Sequence, residues 1–179
     1  RSVAVKVIVD PSWATEVQLA RFVAEAQITS QLEHPNIVPV HEMGVTPRGD
    51  LFFVMKKVEG RTLRQVLAAL RDGDASTAAE WPRTRLLHAF IQICNAVAYA
   101  NDRGVLHRDL KPDNIFLIPG PDGKEHVKVL DFGIAKILDD GASESITKTG
   151  MVCGTPMYLS PEQAVGKILD ARSDAYSLG

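Results

Sequence analysis

Cysteine is scarce in this sequence: Cys94 and Cys153 are the only two, far apart and without a CxxC pair. That pattern suggests neither a disulfide framework nor a zinc site, and a reducing cytoplasm fits best. The five histidines, at positions 34, 41, 88, 107 and 126, are scattered and lack metal-ligand spacing. Long apolar runs are also missing. The longest recognisable one, Leu51-Phe52-Phe53-Val54-Met55, is of strand length, whereas a membrane helix needs roughly 18 residues. A net charge of −2 gives no reason to expect nucleic acid or an anionic membrane as the main partner. No GxxxxGK[ST] phosphate loop, internal repeat or low-complexity tract occurs. No signal peptide is visible either, because the chain opens on Arg1-Ser2-Val3-Ala4-Val5-Lys6, a strand pattern already under way. With an equally abrupt end at Ser177-Leu178-Gly179, it reads as a piece cut at both ends.

What remains is globular. Hydrophobic residues make up 45% of 179, enough for one ordinary domain with a core. Val3, Val5, Val7 and Val9 alternate with Ala4, Lys6 and Ile8, which predicts a strand with one strongly buried face. Thr15-Glu16-Val17-Gln18 offers a capping box for a helix to about Leu32, closed by His34-Pro35-Asn36. Strands are expected over Ile37–Met43 and Leu51–Met55, and a helix over Thr62–Leu70. Arg71–Trp81 reads as a polar connector. Pro82 then starts a long helix with Leu87, Phe90/Ile91, Cys94 and Val97/Ala98 on one stripe. Ile115–Ile118 and Val127–Leu130 form a hairpin around Pro119-Gly120-Pro121-Asp122-Gly123, which can set Asn114 beside Asp131.

Chemistry concentrates in His107-Arg108-Asp109-Leu110-Lys111-Pro112-Asp113-Asn114, followed by Asp131-Phe132-Gly133. Two acids, an amide and a lysine on two neighbouring stretches are what moving a phosphoryl group from ATP requires. Either stretch alone is a weak signal, and a turn rich in Asp, Lys, Pro and Asn is ordinarily a solvated loop. Both, in this order and at this spacing, are specific.

These motifs resemble a eukaryotic-type (Hanks-type) serine/threonine protein kinase, of the sort also found in bacteria, across essentially the whole chain. The resemblance implies an α+β two-lobe fold: a small antiparallel sheet lobe with one helix, and a mainly helical lobe. It divides the chain into a partial first lobe (1–55), a hinge (56–60) and a partial second lobe (61–179). The catalytic loop falls at 107–114 and the activation segment at 131–162. By the same resemblance Asp109 is the catalytic aspartate, Lys111 neutralises the transferred phosphate, and Asn114 and Asp131 are magnesium ligands. ATP and Mg2+ are the implied cofactors, with Mn2+ an alternative. Lys6 corresponds to the strand lysine at the α- and β-phosphates. Glu25, flanked by Phe22 and Ile28 on an apolar face, is its expected partner, since an unpaired buried carboxylate is costly. Glu16 competes, but helix-dipole stabilisation in the first turn accounts for it. Met55, Lys56 and Val58 fall at the gatekeeper and hinge, where backbone groups read the adenine; Lys56 and Lys57 are taken as surface charges.

Thr155, in Gly154-Thr155-Pro156, resembles the threonine that bonds the catalytic aspartate and lysine in Ser/Thr-specific enzymes. Leu110-Lys111-Pro112 points the same way. Thr147 and Thr149 sit where related bacterial kinases autophosphorylate, and a phosphate there could pair with Arg108. Ser160 replaces the usual alanine before Pro161-Glu162. Ser173-Asp174 resembles the start of a helix whose aspartate anchors the catalytic loop. The expected partners are protein substrates with Ser/Thr acceptors and a second copy for trans-autophosphorylation, with no nucleic acid. The expected location is cytoplasmic, in a parent that a region outside this sequence could anchor to a membrane. The glycine-rich lid expected before Lys6 is absent, which predicts a poorly stable piece with weak or no activity. Two other readings stay open: a pseudokinase or nucleotide-binding scaffold, and a small-molecule phosphotransferase. Lys6, Asp109, Asn114 and Asp131 are all present, against the first; Arg108 and the peptide-docking stretch to Glu162 argue against the second.

Overall fold

The structure, a computed structural model, describes residues 2–8, 15–119, 125–132 and 156–179. Among these residues two small antiparallel sheets carry two hydrophobic clusters. The first sheet joins β1 (Val3–Ile8), β2 (Val40–Val45) and β3 (Leu51–Lys56) in the order β1-β3-β2. Lys6 lies opposite Phe53 in that register. Helix α1 (Glu16–Ser30) begins with the expected capping box, in which Thr15 and Gln18 satisfy each other's backbone N–H groups. It covers the sheet through Phe22 and Ala26, with the Phe22 and Phe53 rings 4.9 Å apart. A tilted aromatic pair of this kind contributes about 1 kcal/mol beyond its buried area.

The larger cluster lies beneath α2 (Leu63–Arg71), α3 (Ala75–Glu80) and α4 (Arg83–Asn101) and the second sheet. That sheet orders β4 (Arg61–Thr62), β5 (Ile115–Pro119) and β6 (Glu125–Val129), with Ile115 opposite Val129. Short helices α5 (Pro161–Ala164) and α6 (Ala171–Leu178) complete the described part. Gly60 has no room for a side chain, since a Cβ there would meet the Leu117 carbonyl oxygen at 2.3 Å.

Four expectations need correction. The valine face of β1 is the exposed one, with Val5 53% accessible, while Ala4, Lys6 and Ile8 turn toward α1 and the sheet interior. Alternation gives the period but not which face is covered. In α4 the buried stripe is Ala89, Ile93, Ala96, Val97 and Ala100, whereas Leu87, Phe90 and Ile91 are exposed. This helix is apolar on two faces, and its alanines allow the closer approach to β6. The connector after Arg71 contains α3, because Asp74 caps it through the Thr77 N–H at 2.8 Å and Trp81 anchors its end in the core. Strand β2 starts at Val40 instead of Ile37, because Ile37 is diverted into a parallel bridge with Val129 of the other sheet.

Candidate active site

The loop between α4 and β5 is held from below by one buried carboxylate. Asp174 of α6 accepts the backbone N–H of His107 through Oδ2 and that of Arg108 through Oδ1, both at 2.8 Å. Charge-assisted bonds to two successive amides fix the chain direction there. Arg108 consequently adopts a positive φ of 62°. A left-handed non-glycine residue costs roughly 1–2 kcal/mol, which these bonds offset. Gln163 of α5 adds a third hold, donating from Nε2 to the Arg108 carbonyl at 2.7 Å.

Above that support the polar side chains converge. Lys111 Nζ donates to Asp109 Oδ2 at 2.7 Å. Asn114 Nδ2 donates to the Asp109 carbonyl at 2.9 Å and to its Oδ2 at 3.2 Å. A single 3₁₀ turn, Pro112–Asn114, produces this crossing by folding the chain back immediately after Lys111. Asn114 leads into β5, and its carbonyl accepts the Leu130 N–H at 2.9 Å. The expected adjacency of Asn114 and the Asp131 segment is therefore direct.

Asp131 also takes a positive φ, 51°, which turns its neighbour Phe132 into the core. The Phe132 ring stacks at 4.7 Å on His107, which is fully buried. His107 Nε2 donates to the Leu130 carbonyl at 3.1 Å, leaving Nδ1 as an unprotonated, unpartnered acceptor. Burial holds this imidazole below its ordinary value despite the nearby Asp174 and Asp109 carboxylates, so it is neutral.

Across the cleft, Lys6 Nζ donates to Glu25 Oε1 at 2.6 Å and stands 3.5 Å from Asp131 Oδ1. Glu16, at the exposed start of α1, is not its partner. Burial lowers the Lys6 ammonium, but Asp131 and Glu25 outweigh it and the group ends above its ordinary value. Burial pushes the Glu25 carboxyl up, more than the bond from Lys6 brings it down. Lys6 is thus held charged and shared between a sequestered carboxylate and a half-exposed one.

Met55, at the end of β3, packs beside the first cluster and lines a small cavity with Glu25, Phe53, Leu130 and Asp131. The backbone N–H of Lys56 donates to the Pro39 carbonyl at 3.2 Å. Lys57 pairs with Glu59 at 2.9 Å, and Val58 is half-buried. Ser173 Oγ donates to Glu162 Oε1 at 2.6 Å. Thr147, Thr149 and Thr155 lie outside the described residues, as do Gly133 and Cys153.

The donor set suits a hard cation. Asp131 and Asn114 offer oxygen ligands, as a Mg2+ site completed by nucleotide phosphates requires. Among the described residues there is no cluster of three His, Cys, Asp or Glu side chains that could hold a metal alone. No helix among them is long and apolar enough to cross a membrane.

Sequence reasoning missed the support from Gln163 and Ser160. They act through a capping box that the Ser-Pro-Glu-Gln pattern announces, Ser160 Oγ accepting from the Gln163 N–H.

A two-lobed fold with a lysine–glutamate pair facing an Asp/Lys/Asn cluster defines a phosphoryl-transfer scaffold of the kinase type. A sequence profile of the protein kinase domain matches residues 1–179, and the chain belongs to that family, in its bacterial Hanks-type branch. It is 43% identical over 182 residues to the serine/threonine-protein kinase pkn3 of Myxococcus xanthus, covering 99% of this chain and 31% of that protein. It is 41% identical to PknB of Mycobacterium tuberculosis, covering all of this chain and 27% of that protein. The crystal structure of the Mycobacterium tuberculosis PknI kinase domain superposes with a TM-score of 0.68 at 29% identity. That match covers 98% of this chain and 60% of the PknI chain. The chain therefore spans about a third or less of the curated relatives, and 60% of a solved kinase domain.

Proposed function

We propose that the protein of which this chain is part transfers the γ-phosphoryl group of ATP to serine or threonine hydroxyls of proteins. The observation that carries the reading is the simultaneous presence of two assemblies. Lys6 bridges Glu25 and Asp131 on one side, and Asp109, Lys111 and Asn114 form one hydrogen-bonded cluster on the other. Phe132, buried against His107, supports the reading by tying the Asp131 segment to the 107–114 loop.

Bound ATP with Mg2+ supplies the phosphoryl donor and the charge that neutralises it. This chain's residues do the rest. Lys6, steadied by Glu25, holds the α- and β-phosphates; Asp131 and Asn114 present oxygen ligands to the cation. Asp109 orients the acceptor hydroxyl and takes its proton, while Lys111 offsets charge on the transferred group. The carboxylate of Asp109 keeps Oδ2 occupied by Lys111 and Asn114, which fixes its rotamer for that task. Met55, Lys56 and Val58 form the adenine edge, read mainly by backbone groups.

Serine/threonine selectivity is supported by Leu110-Lys111-Pro112 and by Thr155, and by the names of the relatives. Autophosphorylation of Thr147 or Thr149 by a second copy, pairing with Arg108, is the regulatory reading. The 1–55, 56–60 and 61–179 division, and a cytoplasmic site of action with any anchor outside this sequence, complete it. The test is mass spectrometry of the full-length protein after incubation with ATP and magnesium. Phosphate on activation-segment threonines, abolished by Asp109→Asn, is expected. Unchanged autophosphorylation in Asp109→Asn would sink the assignment of the base.

A further inference from the structure

The turn that follows α1 does not hang free between the lobes. Residues 35–38 are stitched to β6: the Val129 N–H donates to the Asn36 carbonyl at 2.8 Å, and the Val38 N–H to the Val129 carbonyl at 3.2 Å. Asn36 Nδ2 donates to the Val127 carbonyl at 3.0 Å and to Gln92 Oε1 of α4 at 2.8 Å. Gln92 Oε1 also accepts the Val127 N–H at 3.1 Å. One break occurs in this stitching. Pro35 has no N–H to give, and its carbonyl and that of Ile37 both turn to a single cation, the Nζ of Lys128.

We propose that Lys128 is a positioning residue for phosphoryl transfer, clamping the turn after α1 to β6 so that Glu25 and Asp131 share one frame. Glu25 sits on α1, which runs into the clamped turn, and Asp131 follows Lys128 by three residues, just past the end of β6. Beside those backbone and Asn36 bonds, one ammonium therefore ties together the two segments that carry the supports of the Lys6 site. Burial and the neighbouring Lys56 both work against the charge on Lys128, lowering its affinity for the proton. A cation kept under those conditions is held by what it bonds, here two main-chain carbonyls that no backbone donor among the described residues reaches. The inference rests on the kinase reading for its kinetic consequence, and its structural half stands apart.

The experiment uses the full-length protein with Lys128→Met, which keeps the aliphatic stem and removes the donors, and Lys128→Arg, which keeps the charge. Hydrogen exchange should accelerate over 16–30 in the Met variant and stay unchanged over 83–101. Its KM for ATP should rise and kcat fall, together costing about tenfold or more in kcat/KM, with KM for the protein substrate unchanged. Lys128→Arg should recover most of both readouts. In a Glu25→Gln background the Met substitution should add little, because the group it positions is already lost. Exchange that rises equally in both helices or in neither, or a penalty that adds fully to Glu25→Gln, would overturn the proposal. Lys128→Gln, with one shortened donor, carries the same comparison if the Met variant does not fold. A wild-type protein without transferase activity would refute the kinase reading, and the exchange experiment would still decide the clamp.

Discussion

At the residue scale, the site depends on a few groups whose surroundings leave them no alternative partner. Asp174 is 1% exposed and its two oxygens are taken by consecutive backbone amides. Asp174→Asn keeps the shape but turns one oxygen into a donor facing an N–H. The expected cost is about 2–3 kcal/mol, the range for a charge-assisted bond lost and a buried donor orphaned. In a domain of this size that lowers Tm by roughly 5–10 °C, which differential scanning calorimetry would read. Phosphoryl transfer should fall further than stability alone explains, since Arg108 would no longer be held at its positive φ. A Tm within a degree of wild type would contradict this account of the loop.

At the element scale, helix starts do much of the positioning. Among the described residues three capping boxes occur, at Thr15/Gln18, Thr62/Gln65 and Ser160/Gln163. The third lies closest to the chemistry, because one amide serves two elements. Gln163 Oε1 accepts the Ser160 N–H at 3.1 Å while its Nε2 holds the Arg108 carbonyl. Ser160→Ala should therefore destabilise by about 1 kcal/mol, a typical N-cap loss, measurable as a lower denaturant midpoint at unchanged slope. Ser160→Thr should retain most of it if the buried site accepts the extra methyl. This residue looked like a mild departure from alanine in the sequence. In the fold it is fully buried and bonded.

At the scale of the whole molecule, the candidate site is a meeting point of segments far apart in the chain: β1, α1, the 107–114 loop, the end of β6 and α6. Its centre is His107, buried and neutral. The unfolded chain binds a proton at this imidazole below about pH 6.5 and the folded one does not, so stability rises with pH in that window. Unfolding free energy should hold steady above pH 7 and fall as pH drops below about 6.5, toward the depressed folded value. The slope from this residue is at most about 1.4 kcal/mol per pH unit. Urea denaturation at pH 7.5 and 5.5 measures it, and His107→Asn should flatten the difference. An equal loss in both proteins would place the acid sensitivity elsewhere.

The chemistry was legible in the sequence because it is written in residue types at fixed short spacing. Asp109, Lys111 and Asn114 lie within one turn of chain, and the capping box at Thr15 likewise is local. The Lys6–Glu25 pair was legible because an acid on an apolar helix face demands a cation. What the sequence left open depends on which neighbour covers a face. Alternating valines in β1 and a doubly apolar α4 satisfy either orientation until the rest of the chain packs, and packing chose the alanine side of α4. The positive φ of Arg108 and Asp131, the double role of Gln163 and the grip of Lys128 on two carbonyls have no local signature at all. They exist because distant backbone groups arrive at one place with bonds still to make, and buried polar groups must find partners there.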